Sequence, residues 1–201
     1  SFPIAVACDP AFNFVYEANI RYLHHLGEVT YFSPLADTSL PDAGFVYLPG
    51  GYPELYLAAL SANRQMLQSI RRYVESGGKL LAECGGMMYL CDEIRDKNGY
   101  VYPMAGVLHQ SATMENMKLR LGYRTLLYNE TRLKGHEFHY SRLVEQQNPL
   151  PSCAVAYTAK GVETDTPLYH YKNVWAGYTH LYWADPVGNE WFSKFVLAGH
   201  I

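Results

Sequence analysis

In the stretch KLLAECGGMMYL, Lys79 to Leu90, an apolar run ends at Glu83 and Cys84, two glycines follow, and a second apolar segment begins. A nucleophile between a strand and a helix sits on a tight, strained turn that lifts its side chain above the sheet. Gly85 and Gly86 supply the small neighbours such a bend requires. If Met87 to Ile94 is helical, its N-terminal dipole favours a thiolate at Cys84, and the Gly85 amide points at a developing oxyanion. The alternative is a buried cysteine ahead of a glycine-started helix, and the local pattern leaves both open. Cys91 falls near the apolar stripe of the expected helix and reads as core. Cys8, at the end of the first expected strand, could line the same pocket but lacks the glycine pair.

A thiol nucleophile needs a base to collect and return its proton. Of the eight histidines, His24, His25 and His200 read as surface residues on a helix or at the terminus, and His109 and His170 belong to no motif. Two segments remain, GHEFHYS (Gly135 to Ser141) and AGYTHLYW (Ala176 to Trp183).

The elements that must position these groups show in the hydrophobic pattern. Ile4 to Ala7, Val29 to Phe32, Phe45 to Leu48 and Lys79 to Ala82 read as short buried strands. Between them, Val15 to Leu26 and Asn63 to Ser76 carry apolar residues at helical spacing, closed by Gly27 and by Gly77-Gly78. Strands alternating with helices predict a parallel sheet covered on both faces, with ligands bound beyond the carboxyl ends of its strands. Three such ends are unusual: Cys8-Asp9-Pro10, Gly50-Gly51-Tyr52-Pro53-Glu54 and Glu83-Cys84-Gly85-Gly86. After about Asn98 the pattern turns to aromatic-rich strands at Leu119 to Tyr128, His136 to Val144, Ala154 to Thr158, Leu168 to Tyr171 and Val174 to Tyr182, followed by a last helix from Glu190 to Ala198.

The totals narrow the function further. The chain has 201 residues, 49% hydrophobic and 17% charged, which fits one globular domain with a sizeable core. A net charge of −3 with scattered lysines and arginines gives no footprint for nucleic acid. No apolar run approaches the ~18 residues of a membrane span. The four cysteines lie far apart with no CxxC pair, so neither a metal site nor a disulfide framework is expected, and a reducing, cytoplasmic setting is. The abrupt entry into a strand suggests a domain taken from a longer chain.

GGYPE (Gly50 to Glu54), AECGG (Ala82 to Gly86), GHEFHYS and GYTHLYW (Gly177 to Trp183), in that order after IAVACDPAFNFVY (Ile4 to Tyr16), resemble the glutamine amidotransferase domain at the C-terminal end of cobyrinic acid a,c-diamide synthases. The resemblance covers essentially the whole chain. It implies a three-layer α/β class I amidotransferase-like (flavodoxin-like) fold with a mostly parallel sheet and extra strands in the second half, and one domain over residues 1–201. It implies Cys84 as nucleophile, His180 as general base and acid, and an oxyanion held by the amides of Gly85 and Gly51. Tyr52 is expected beside the substrate, and by analogy with a tyrosine-histidine-serine segment of related amidotransferases so are His139, Tyr140 and Ser141. Glutamine is the implied substrate, and the ammonia released would amidate an ATP-activated carboxylate on a corrinoid acid. An N-terminal synthetase domain would hold ATP and Mg; this chain has no GxxxxGK[ST] loop, and no cofactor is expected in it.

One position departs from the wider class. Where many class I amidotransferases place a glutamate two residues after the histidine, this chain has Tyr182, so Glu54, Glu137, Asp185 or a backbone carbonyl is left to hold His180. Two rival readings remain: an elbow-cysteine hydrolase of another specificity, and a non-catalytic structural or tetrapyrrole-binding lobe.

Overall fold

The computed structural model describes residues 1–198. Its first part alternates strands and helices: β1 (Pro3–Ala7), α1 (Glu17–Leu26), β2 (Glu28–Phe32), β3 (Phe45–Leu48), a 3-10 turn (Pro53–Leu55), α2 (Leu57–Ala62), α3 (Arg64–Glu75), β4 (Leu80–Glu83) and α4 (Gly85–Leu90). Strands dominate the rest: β5 (Cys91–Arg95), β6 (Val101–Pro103), β7 (Leu108–Thr113), β8 (Arg120–Tyr128), β9 (Thr131–His139) and β10 (Arg142–Leu143). Next come β11 (Val155–Thr158), β12 (Glu163–Thr164), β13 (Leu168–Tyr171), β14 (Val174–Gly177), β15 (His180–Leu181) and a closing helix, α5 (Pro186–Leu197).

Six strands form the central sheet in the order β13-β14-β4-β3-β1-β2, parallel except for the edge strand β13. Alternation along each strand sends side chains to opposite faces. Ala5, Ala7, Val46, Leu48, Leu80 and Ala82 pack with Leu60, Met66, Ile70 and Val74 of α2 and α3 and with α4. Ile4, Val6, Phe45, Tyr47 and Leu81 face the other way, onto Leu23 of α1, Trp183, and Trp191, Phe192 and Val196 of α5. The expected three-layer architecture is therefore present. Two smaller sheets extend it, β10-β7-β5-β6 and the antiparallel β12-β11-β8-β9-β15.

Local chemistry explains the boundaries. Asn63 caps α3 by accepting from the Met66 amide, and at the other end Gly77 takes φ +92°, where a side chain would be strained. The Gly78 amide then reaches the Tyr73 carbonyl at 2.8 Å and the Gly77 amide reaches Val74 at 3.0 Å, which satisfies two end carbonyls of the helix.

Three expectations need correction. The helix after the elbow stops at Leu90, and Cys91 opens β5, which pairs with β6 and β7. There, exposed Asp92 sits between buried Cys91 and Ile94, a pattern too short to separate strand from helix. The segment His136 to Val144 is two strands: the chain bends at Tyr140-Ser141 and leaves the β8-β9 sheet for β7. Val174 to Tyr182 also divides, β14 pairing with β4 and β15 with β9. His24 and His25 are exposed as expected, whereas His200 lies outside the described residues. No helix among the described residues is long and apolar enough to cross a membrane.

The elbow is seated on β3 by Gly86, where an added Cβ would lie 2.1 Å from the Leu48 carbonyl oxygen. Gly86→Ala is expected to cost about 1–3 kcal/mol through this overpacking. A thermal melt should show a fall of several degrees; an unchanged Tm would contradict the close seating.

Candidate active site

The site lies at the carboxyl ends of β4, β3 and β14. Cys84 takes φ 52° and ψ −107° between β4 and α4, an unusual backbone state for a residue with a Cβ. The strained turn is fixed on both sides: the Cys84 amide donates to Gly177 at 2.7 Å, and its carbonyl accepts from Met88 at 3.0 Å. Gly85 needs to be small because an added Cβ would meet the Pro53 ring at 2.8 Å and the Gly51 amide nitrogen at 3.2 Å. Gly51 in turn leaves only 2.2 Å between an added Cβ and the Ala11 carbonyl. The two glycines thus bring the GGYPE turn against the elbow, and the Gly85 amide faces the sulfur.

His180 reaches the same place by the division of the last long segment. Its strand β15 begins three residues after Gly177, the residue bonded to the Cys84 amide, and pairs with His136 of β9. The imidazole lies over Gly50, whose added Cβ would strike its Cε1 at 2.2 Å. The Phe14 ring covers it with centroids 4.5 Å apart, held there by a Phe14 amide bond to the Gly50 carbonyl. Cys84 and His180 are each 4% exposed, so the cluster is closed to solvent in this state.

The electrostatics reverse one expectation. Burial pushes the Cys84 thiol well above its ordinary range, the Glu54 carboxylate adds to this, and the Gly85 amide opposes it too weakly. The thiol donates a long hydrogen bond to the Phe138 carbonyl, 3.6 Å away. Desolvation therefore favours the thiol over the thiolate expected at the helix start. Burial, and after it the charges of His136 and His139, pushes His180 down to about 3, which makes it a neutral imidazole.

Among the described residues the His180 ring has no carboxylate partner. Its Nδ1 is buried without a hydrogen bond. Tyr182 points outward onto Tyr16 with ring centroids 5.7 Å apart, and Asp185 caps α5 through the Gly188 amide. Glu137 is engaged elsewhere: it accepts from Arg124 Nε and Thr166 Oγ1, both at 2.7 Å, and from His139 Nε2 at 2.6 Å. Glu54 leaves its buried Oε2 without a partner.

The GHEFHYS residues form a buried network beside the elbow. His139 Nδ1 faces the Ser141 carbonyl at 2.7 Å while Nε2 faces the Glu137 carboxylate, so both ring nitrogens donate. The ring stacks on Tyr178 at 3.6 Å, whose hydroxyl meets Ser141 Oγ at 2.9 Å. His139 and Ser141 have their polar atoms engaged within the fold, whereas Tyr140 and Tyr52 are exposed at 39% and 43%. A cavity of about 970 Å³ borders this network, lined among others by Arg120, His139, Tyr140, Arg142 and Tyr178.

Three residues outside the expected catalytic pair shape the site. Gly50 gives room to the imidazole, Phe14 covers it, and Glu83 is a buried carboxyl, 1% exposed, with no cation beside it. Each carried a signal: Phe14 lies in the FNFVY stretch able to cover a pocket at the strand ends, Gly50 opens the GGYPE motif, and Glu83 is a lone charge closing an apolar strand. Asp9, at another unusual strand end, serves the loops: it accepts from the Ala11, Phe12 and Leu35 amides and the Ser33 hydroxyl.

Two measurements test this description. Peptide-resolved alkylation of the chain by iodoacetamide should label Cys84 more slowly than exposed Cys8, its rate still rising through pH 9; a plateau below pH 8 would mean a stabilised thiolate. Although burial alone would raise Glu137, bonds from His139, Thr166 and Arg124 outweigh it and hold its carboxyl at about 2. A depressed pKa stabilises the fold fully above the unfolded value near ~4.3 and loses that contribution as pH falls toward 2. Glu137→Gln should therefore flatten the acid unfolding curve between those limits; an unchanged curve would refute the assignment.

Comparisons with known proteins place the chain in a family. The family described as the CobB/CobQ-like glutamine amidotransferase domain matches residues 3–187. Hydrogenobyrinate a,c-diamide synthase of Pseudomonas aeruginosa is 40% identical over 185 residues, covering 89% of this chain and 41% of that protein. Cobyrinate a,c-diamide synthase of Clostridium acetobutylicum is 40% identical over 204 residues, covering 96% and 45%. The chain thus spans less than half the length of these curated relatives. Among solved structures, PurLQS from Thermotoga maritima superposes with a TM-score of 0.62 at 18% identity, covering 98% of this chain and 95% of that one. A glutamine amidotransferase crystal structure gives 0.59 at 17%, covering 96% and 98%. The fold is that of the class I amidotransferases, and the chain belongs to the CobB/CobQ-like glutamine amidotransferase domain family.

Proposed function

We propose that this chain is the glutaminase half of a corrinoid a,c-diamide synthase, releasing ammonia from glutamine for amidation of ring carboxylates in a longer protein. The observation that carries the reading is the shared turn: Cys84 is held at a positive-φ elbow whose Gly85 packs on Gly51, and the buried imidazole of His180 packs on the neighbouring Gly50.

Because both groups rest neutral, the first proton moves with the attack rather than before it. His180 takes the Cys84 proton as sulfur bonds to the side-chain carbonyl carbon of glutamine. The oxyanion that forms is held by the amides of Gly85 and Gly51; one such donor is worth about 10²–10³ in rate. Collapse breaks the carbon–nitrogen bond while His180 returns its proton to the nitrogen, which leaves as ammonia. Water then attacks the thioester, giving its proton to His180, and glutamate departs with the thiol restored. Glutamine gains entry when Phe14 shifts from over His180, and Tyr52 and Tyr140 stand at the exposed border to meet it. His139 and Ser141 shape that border through their own network rather than by free polar groups.

The ATP and Mg that activate the acceptor carboxylate belong, in this reading, to the further length of chain seen in the relatives. The names of those relatives specify hydrogenobyrinate or cobyrinate at the same 40% identity, so the acceptor proposed is the corrin-type polycarboxylate common to both.

The test uses the full-length protein containing this domain, with ATP, Mg and a corrinoid acid. Cys84→Ala should abolish amidation driven by glutamine and leave amidation driven by added ammonia intact. Loss of both, or of neither, would overturn the reading, and cleavage of peptides instead of glutamine would favour a hydrolase of another specificity.

A further inference from the structure

The imidazole of His180 makes no hydrogen bond to a carboxylate, yet a base acting on sulfur must be held in one orientation. The backbone on its C-terminal side is held unusually firmly. The Leu181 amide donates to Glu83 Oε2 at 2.8 Å, and the Leu181 carbonyl accepts from Asn19 Nδ2 at 2.8 Å. Asn19 Oδ1 accepts from the Trp183 amide at 2.9 Å. The other Glu83 oxygen accepts from the Tyr47 hydroxyl at 2.5 Å. Glu83 is 1% exposed and Asn19 0%, so neither bond competes with water. Glu83 is also the residue immediately before Cys84, on the strand that delivers the sulfur.

We propose that Glu83, with Asn19 as its counterpart, is the positioning residue for His180, fixing the imidazole through the Leu181 backbone where other amidotransferases would act on the ring. One rigid strand end then sets both reactive groups: its last side chain anchors the base, and the next residue is the nucleophile. The inference rests on the proposed glutaminase reading and assigns Glu83 no contact with substrate.

The role requires an acceptor of the right length rather than a charge. Burial pushes Glu83 up to about 8 against the bonds from Tyr47 and Leu181, so a neutral group suits the site. A glutamine there keeps an oxygen for the Leu181 amide and offers its NH₂ to the Tyr47 oxygen. Methionine has similar length and no comparable acceptor.

The experiment measures glutamine-driven amidation by the full-length protein, in single variants and in a double-mutant cycle with His180→Ala. Glu83→Gln should restore the wild-type rate to within a few-fold. Glu83→Met should lower kcat by about 10², the cost of misplacing a catalytic group by roughly 1 Å, leaving the KM for glutamine and the ammonia-driven rate near wild type. In the His180→Ala background, Glu83→Met should cost nothing more, because its effect passes through that imidazole. A glutamine variant as impaired as the methionine variant would overturn the proposal, and so would equal losses in the two backgrounds. If Glu83→Met does not fold, Asn19→Leu is put through the same cycle, and additive losses there overturn it equally. Wild-type protein inert toward glutamine, or indifferent to Cys84→Ala, would instead refute the glutaminase reading.

Discussion

The site depends on the pairing of β4 with β14. Residues 80–83 and 174–177 lie side by side in parallel register, and the ladder ends with the Cys84 amide on the Gly177 carbonyl. That last bond lies at the point where both chains leave the sheet. One turns into the elbow and α4, the other steps across to β9 and carries His180 with it. Without this seam the thiol and the imidazole would belong to separate parts of the molecule. The strained backbone at Cys84 persists because the seam, the Gly86 seat on β3 and the contact of Gly85 with Gly51 over-determine it.

A consequence is a site that is assembled but at rest. Burial confines both groups to their neutral forms, and the sulfur proton points to the Phe138 carbonyl. The charge in this region is gathered instead into the Glu137 network, where Arg124 and the doubly donating His139 hold a carboxylate below ordinary titration. Buried carboxyls of two kinds therefore flank the elbow. Glu137 is ionised and paired; Glu83 is raised toward neutrality and used only for its oxygen atoms. Their opposite shifts follow from what offsets burial: two cations and a hydroxyl outweigh it at Glu137, whereas at Glu83 burial outweighs the hydrogen bonds it accepts.

Much of the parallel half was legible in the sequence because its signals are local. Buried four-residue runs, the amphipathic stripe of α3 and the glycine pair after Cys84 each depend on neighbours in the chain. The antiparallel half was harder, since a strand that changes sheets keeps its apolar pattern across the change. Val174 to Tyr182 read as one strand, and nothing in its composition marks the step at Tyr178-Thr179. The motifs pointed to Cys84 and His180 and contained Gly50 and Phe14, but the packing of Gly50 and Phe14 on the imidazole and the bond from Glu83 to Leu181 arise only from contacts made across the fold. The thiolate expected at the elbow left out the burial of the sulfur, which only the folded packing reveals.

The distance along the chain between the two halves of the seam has a further effect. Joining residue 83 to residue 177 closes a loop that includes β5 to β13, a slow, non-local step in folding. During synthesis, the elbow segment leaves the ribosome long before β14 exists to complete its sheet. A polypeptide halted ahead of that strand would expose an apolar β4 edge and carry the Cys84 thiol without the His180 imidazole. The two groups thus come together late, only after residues 174–181 have been made and have paired with β4 and β9.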